Sequence, residues 1–186
     1  MKVLSVNVGG PGVIRWKGRD IRTSIRKNPV PGPVTFRGIN LVGDDQSDRR
    51  VHGGPLKAVY TYPSEHYPFW ARELNRNDLT FGAFGENLTT QGWTEPEARM
   101  GDRVRIGTAE FEVVQPRSPC YKLDASFQRS DMIRRFHESK RSGFYLRGVQ
   151  EGVLSAGDEI VLLARKPSAP SISDILRSEN WRAEYL

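Results

Sequence analysis

The chain is poor in the residues that hold metals and cross-links, with one cysteine, Cys120, and three histidines among 186 residues. A single thiol excludes an intramolecular disulfide and any all-cysteine zinc site. His52, His66 and His137 share no close spacing, so no protein-only metal cage is written in the chain; a metal on Cys120 would draw most of its ligands from a bound cofactor. No apolar run approaches the ~20 residues of a membrane-spanning helix. The segment Met1–Val8 carries one lysine and no sustained apolar stretch, so it reads as a first strand, not a leader, and the expected location is cytoplasmic. Also missing are a Gly-x-Ser-x-Gly elbow, a phosphate-binding Gly-Lys-Ser/Thr loop, and any flavin, haem or iron–sulfur motif.

What is present begins with charge. The net charge is +6, with six basic residues between Arg15 and Lys27 and further pairs at Arg49-Arg50, Arg134-Arg135 and Lys140-Arg141. No nucleic-acid motif and no long basic helix accompanies them, so nucleic acid is not the expected partner. Dispersed positive charge serves an anionic small molecule, an acidic protein or solubility equally well.

Glycine and proline are spread throughout and divide the chain into short segments, the habit of a strand-dominated domain. Strands are expected over Lys2–Val8, Asp20–Ile25, Val34–Ile39, Ala58–Tyr62, Arg103–Ile106, Ala109–Val114, Gly143–Val149 and Glu159–Ala164, where Val, Ile, Tyr and Phe concentrate and several stretches alternate. Two helices are expected: one from a Ser64 cap to Leu74, one from a Ser130 cap through Asp131 to Ser139. The fold class is thus mainly β, a barrel with peripheral helices, spanning residues 1–166. Pro167-Ser168-Ala169-Pro170 reads as a linker, and residues 167–186 as that linker plus a short helical tail.

Four constellations could carry chemistry. Cys120 follows two prolines just past a strand, with Arg117 and Lys122 as flanking cations that favour the thiolate; a buried small hydrophobe is the competing role. His52-Gly53-Gly54 with Lys57 is either an anion-cradling loop or a plain turn into a strand. Tyr60, Tyr62, Glu65, His66 and Tyr67 crowd polar aromatics into one stretch, either a site or a packed helix–strand seam. Gly85-Glu86-Asn87 offers a carboxylate and an amide to a polar heterocycle, or Glu86 pairs with an arginine.

These pieces, taken in order, resemble the MOSC domain family, and most closely its stand-alone YiiM-like branch. The resemblance rests on Gly43-Asp44, Val51-His52-Gly53-Gly54-Pro55, Lys57-Ala58-Val59-Tyr60, Glu65-His66-Tyr67, Phe84-Gly85-Glu86-Asn87-Leu88-Thr89, Gly101-Asp102 and Gln115-Pro116-Arg117-Ser118-Pro119-Cys120-Tyr121-Lys122-Leu123. It implies a β-barrel that binds molybdenum cofactor, a molybdenum–pyranopterin, with Cys120 as the protein ligand to the metal. Gly53, Gly54, Lys57, Gly85, Glu86, Asn87, Arg117, Ser118 and Lys122 would then hold the cofactor. The implied activity is reduction of N-hydroxylated compounds (hydroxylaminopurines, amidoximes, hydroxylamines), a detoxification, with electrons from a separate reductase. His52, Tyr60 and His66 are the candidate proton donors beside Cys120. The alternative within the same resemblance is a sulfur-carrier or cofactor-transfer protein working through a Cys120 persulfide. A homodimer is compatible with either. Leu56 departs from the branch, where an acidic residue is common, and the helical tail is shorter than in relatives.

Overall fold

The computed structural model describes residues 1–46 and 53–178. Thirteen strands and four α-helices make up the described chain. The main sheet contains β1 (Lys2–Val8), β4 (Asn28–Pro29), β7 (Val59–Pro63), β8 (Leu88–Gln91), β9 (Arg103–Ile106), β10 (Ala109–Pro116), β11 (Phe144–Gln150) and β13 (Ile160–Ala164), ordered β13-β9-β10-β11-β7-β8-β1-β4. All its neighbours are antiparallel except β7 and β8, which run parallel. A three-stranded sheet joins β5 (Val34–Arg37), β6 (Asn40–Leu41) and β12 (Gly152–Leu154), and β2 (Gly12–Trp16) pairs with β3 (Arg19–Thr23) as a ribbon. Helices α1 (Tyr67–Leu74), α2 (Tyr121–Phe127), α3 (Met132–Ser139) and α4 (Ile172–Arg177) complete the architecture.

The fold is therefore mainly β with few helices. The ladder order has two free ends, β13 and β4, and the closed barrel of the sequence expectation is not formed by strand pairing among the described residues. A bridge between Lys2 and Glu159, with backbone hydrogen bonds from Val3 to the Asp158 carbonyl, Gly157 to the Val3 carbonyl and Ile160 to the Met1 carbonyl, brings the start of β1 to the start of β13, but no strand ladder closes the sheet there.

Alternation places one set of side chains of β1, β9 and β10 inward. Val3, Val6, Val104, Ile106, Phe111 and Val113 are all fully buried, with Phe36 set edge-on to Phe111 at 4.9 Å. A second, aromatic core lies between β7 and helices α1–α3, where Tyr62, Trp70, Phe84 and Phe136 pack together and Trp70 Nε1 donates to the Tyr62 hydroxyl at 2.6 Å. This bond replaces the water that the indole N–H loses on burial, and the Tyr62 hydroxyl in turn donates to the Arg141 carbonyl at 3.2 Å.

Several local expectations change. Ser64 opens a short 3-10 turn, Ser64–His66, rather than capping α1, and its hydroxyl goes to Glu65. Asp131, not Ser130, stands at the start of α3. Helix α2 and strands β2, β4, β6 and β12 lie outside the expected elements. The β2–β3 hairpin turns at Lys17-Gly18 with φ of 47° and 77°, positive at both central positions as a tight ribbon turn requires. In the tail, Ser171 and Asp174 form a reciprocal capping box for α4, and Ile172, Ile175 and Leu176 sit in the main core. Residues 171–177 thus pack on the chain's own body. No helix of the described residues is long and apolar enough to cross a membrane.

Candidate functional site

The two prolines do what their chemistry dictates at the end of β10. Pro116 still pairs with Phe144 through its carbonyl side, and Pro119 delivers Cys120 in extended backbone (φ −119°, ψ 176°) at the start of α2. The thiol is half-exposed and lines a cleft of about 700 Å³, its open mouth included. Arg117, Ser118 and Lys122 line the cleft from the same arm. The other walls come from distant stretches: Thr23 at the end of β3 with Ser24, Ile25 and Lys27 beyond it, Asp44–Gln46, Lys57 and Ala58 before β7, Tyr60 on β7, Gly85 and Asn87, and Tyr145 on β11.

Four cationic side chains, Lys27, Lys57, Arg117 and Lys122, face two acids, Asp44 and Asp45, so the cleft favours an anionic ligand. Arg117 is buried, its guanidinium 4.6 Å over the Tyr60 ring and 5.4 Å over Phe136. Burial works against that charge, but the hydroxyls of Tyr60 and Tyr145 and the Cys120 thiol outweigh it and hold the arginine above its ordinary pKa. Tyr60 is raised as well, but here burial is the cause: it pushes the phenol well above its ordinary value, only partly countered by Arg117. Its proton is committed, donated to the Ser142 carbonyl at 2.8 Å.

Lys27 and Asp44 form an ion pair with side chains only 8% and 3% exposed. Asp44 Oδ1 also accepts the Gly9 amide at 2.8 Å, and its Oδ2 accepts Asn87 Nδ2 at 2.8 Å. Burial lowers the Lys27 pKa, and Asp44 opposes the shift. Sequence reading passed over Lys27, Asp44 and Tyr145 as site residues. The only signals were a lysine inside a basic run and a Gly-Asp pair noted without a role.

The remaining expected residues divide by placement. Asn87 lines the cleft, but its amide is spoken for: Oδ1 accepts the Tyr60 N–H at 3.0 Å while Nδ2 reaches Asp44. Gly85 (φ 82°) lines it too, and a Cβ there would stand 2.8 Å from Ile25 Cγ1. Glu86 does not face the cleft. It is fully buried and accepts the Gly82 amide at 2.8 Å, the Phe84 amide at 3.1 Å, the Thr89 hydroxyl at 3.0 Å and a short contact from Tyr67. Its role is to lock the 82–89 turn, neither a heterocycle contact nor an arginine pair. Gly53 and Gly54 do not line the cleft; the Gly54 amide donates to Gln46 Oε1 at 2.9 Å, and Gln46 is the residue that faces inward. His66 lies on a separate surface hollow, with Nε2 at 2.8 and 3.0 Å from the two Glu95 carboxylate oxygens. His52 lies outside the described residues.

Comparison with known proteins identifies a family. The MOSC domain model matches residues 48–161. YiiM of Escherichia coli is 41% identical over 145 residues, covering 77% of this chain and 65% of that protein. A protein named reductase from Gibberella moniliformis is 33% identical over 175 residues, 91% of this chain but 31% of its own length. The crystal structure of YiiM from Geobacillus stearothermophilus superposes with a TM-score of 0.78 at 34% identity, covering 99% of this chain and 96% of that one.

Proposed function

The chain belongs to the MOSC domain family, and from that membership we propose that the cleft around Cys120 holds molybdenum cofactor and that the protein reduces N-hydroxylated compounds. The observation that carries the reading is that the sole cysteine shares one cleft with Arg117, Lys57 and Lys122. The donor set fits such a group. Among the described residues no three His, Cys, Asp or Glu side chains gather to hold a bare ion, so a metal here needs a ligand set brought by a cofactor. A soft thiolate suits molybdenum, and buried or half-buried cations suit a phosphate.

When bound, the cofactor supplies two-electron chemistry to the site. The chain's own residues do the rest. Cys120 holds the metal; Arg117, Lys57 and Lys122 hold the anionic end; Tyr60 and Tyr145 form a wall that excludes water. The Tyr60 hydroxyl keeps its proton, donates it in a hydrogen bond to the Ser142 carbonyl, and accepts from Arg117, which it supports. The overall conversion, N–OH plus two electrons and two protons to N–H plus water, takes its electrons from a separate donor protein. The relative named a reductase supports the oxidoreductase class.

The test is turnover of a hydroxylaminopurine with a chemical reductant. Wild-type protein forms the amine and Cys120→Ala does not. Retained turnover by a metal-loaded Cys120→Ala protein sinks the ligand assignment. Persulfide on Cys120 in a molybdenum-free wild-type protein marks a sulfur carrier instead.

A further inference from the structure

His66 and Tyr60, both candidate proton donors in the sequence, are the two ends of one chain of contacts, of which the proposed chemistry uses only the Tyr60 end. Its centre is Glu95, 3% exposed, on the connection between β8 and β9. The Glu95 carboxylate is bracketed by His66 Nε2, and its Oε1 also accepts the Gly143 amide at 2.7 Å. Facing only carboxylate oxygens, Nε2 is the donor. The Glu95 backbone carbonyl accepts the Ser173 amide from α4 at 3.0 Å, which ties the connection to the tail.

From Gly143 the contacts run into the cleft. The Ser142 carbonyl accepts the Tyr60 hydroxyl, and the Gly143 carbonyl accepts the Arg117 amide at 3.3 Å. The turn has no slack: Gly143 has φ 60°, and a Cβ there would stand 2.4 Å from the Thr61 carbonyl oxygen. A turn seated this tightly passes a displacement on to what it holds, because packed interiors do not deform smoothly. It holds Tyr60 and Arg117, and Arg117 lies beside Cys120.

We infer that the buried His66–Glu95 pair is a positioning device for the cleft, which holds Arg117 against Cys120 through the Ser142–Gly143 turn; its functional meaning rests on the cleft being the reaction site. Glu95 and His66 touch no ligand in this account. They act through the turn.

The sole cysteine gives a clean readout. The full chain, prepared free of cofactor so that the thiol is not committed to a metal, is alkylated with iodoacetate, which is anionic, and separately with iodoacetamide, which is neutral, at low ionic strength. The ratio of the two rates cancels thiol exposure and thiolate fraction and reports the positive field at Cys120. A merely structural role for Glu95 lowers stability without moving this ratio in the folded protein. Glu95→Ala is expected to lower the ratio at least threefold. Glu95→Gln keeps an oxygen for the Gly143 amide and restores most of it, while His66→Ala, which removes one bracket only, lowers it less than Glu95→Ala. An unchanged ratio in folded Glu95→Ala overturns the inference; where that variant does not fold, an unchanged ratio in His66→Ala overturns it. A wild-type protein without turnover that still shows the Glu95 dependence sinks the reductase reading and supports the positioning role.

Discussion

Glu86 separates two accounts of the same residue, since the Gly-Glu-Asn motif invites a cofactor contact and the fold gives it a locking role. Four donors converge on its carboxylate, from Tyr67, Gly82, Phe84 and Thr89. Glu86→Ala orphans all four, at roughly 1–3 kcal/mol each. Removing a buried charge returns several kcal/mol of desolvation cost. The net expected loss is about 3–5 kcal/mol. Glu86→Gln keeps one acceptor oxygen and turns an amide donor toward at least one N–H, for about 1–2 kcal/mol, or roughly 2–8 °C in a chain of this length.

The pH dependence of the glutamine variant follows from the carboxyl group's burial, which raises its pKa above the ordinary 4.5 despite the donors around it. The folded state then holds the proton more tightly than the unfolded chain. Stability contributed by the acid form is full below about pH 4.5 and declines as pH rises toward the folded value. Glutamine cannot lose a proton, so its deficit against wild type shrinks as pH rises past 4.5. Denaturant unfolding of the three proteins across pH 4–8 reads both effects. A Glu86→Ala loss under 1 kcal/mol refutes the locking role, as does a stable Glu86→Gln protein that no longer retains molybdenum.

Asp44→Asn leaves the Lys27 ammonium buried without its counter-charge, which costs about 3–5 kcal/mol when one member of a buried pair is removed; a loss below 1 kcal/mol by chemical denaturation would show the pair is dispensable. Asp131 tests the start of α3: its hydrogen bonds from Arg129 and then Arg135 hold the carboxyl well below its ordinary 3.8, so its stabilisation is present above that value and is lost as pH falls below about 4. Asp131→Asn should therefore flatten the acid limb of the melting curve between about pH 4 and pH 2, and an unaltered limb contradicts the assignment.

Much of the fold was legible because it is written locally. Alternation in Lys2–Val8 and Arg103–Ile106 coincides with β1 and β9 to the residue. Strand β10 ran two residues further than expected, because Pro116 sits where its carbonyl still pairs and no N–H is demanded. Strand β3 was expected over Asp20–Ile25, but its partner β2 was not, because β2 is short and mostly exposed and Lys17 is an uncommon residue for a positive-φ turn position. Helix α2 carries no start signal in its sequence: it is seven residues long, and Cys120 at its N-cap makes no side-chain capping bond.

The site divides the same way. Arg117, Ser118, Cys120 and Lys122 reach one cleft together because they are neighbours in sequence. Lys27, Asp44 and Tyr145 join them only through strand order, which pattern does not reveal. Glu86 and His66 lie off the cleft lining, which their sequence context does not reveal: a carboxylate or imidazole beside aromatics suits a site and a buried network equally, and burial is decided by contacts far along the chain.

The central claim is that Cys120 is the chain's one ligand to a cofactor-borne metal, and the direct measurement is molybdenum per chain by elemental analysis of wild-type and Cys120→Ala protein prepared identically. The account predicts about one molybdenum per wild-type chain and a small fraction of that in the variant. Equal molybdenum in both, or none in wild-type protein prepared from cofactor-replete cells, contradicts it.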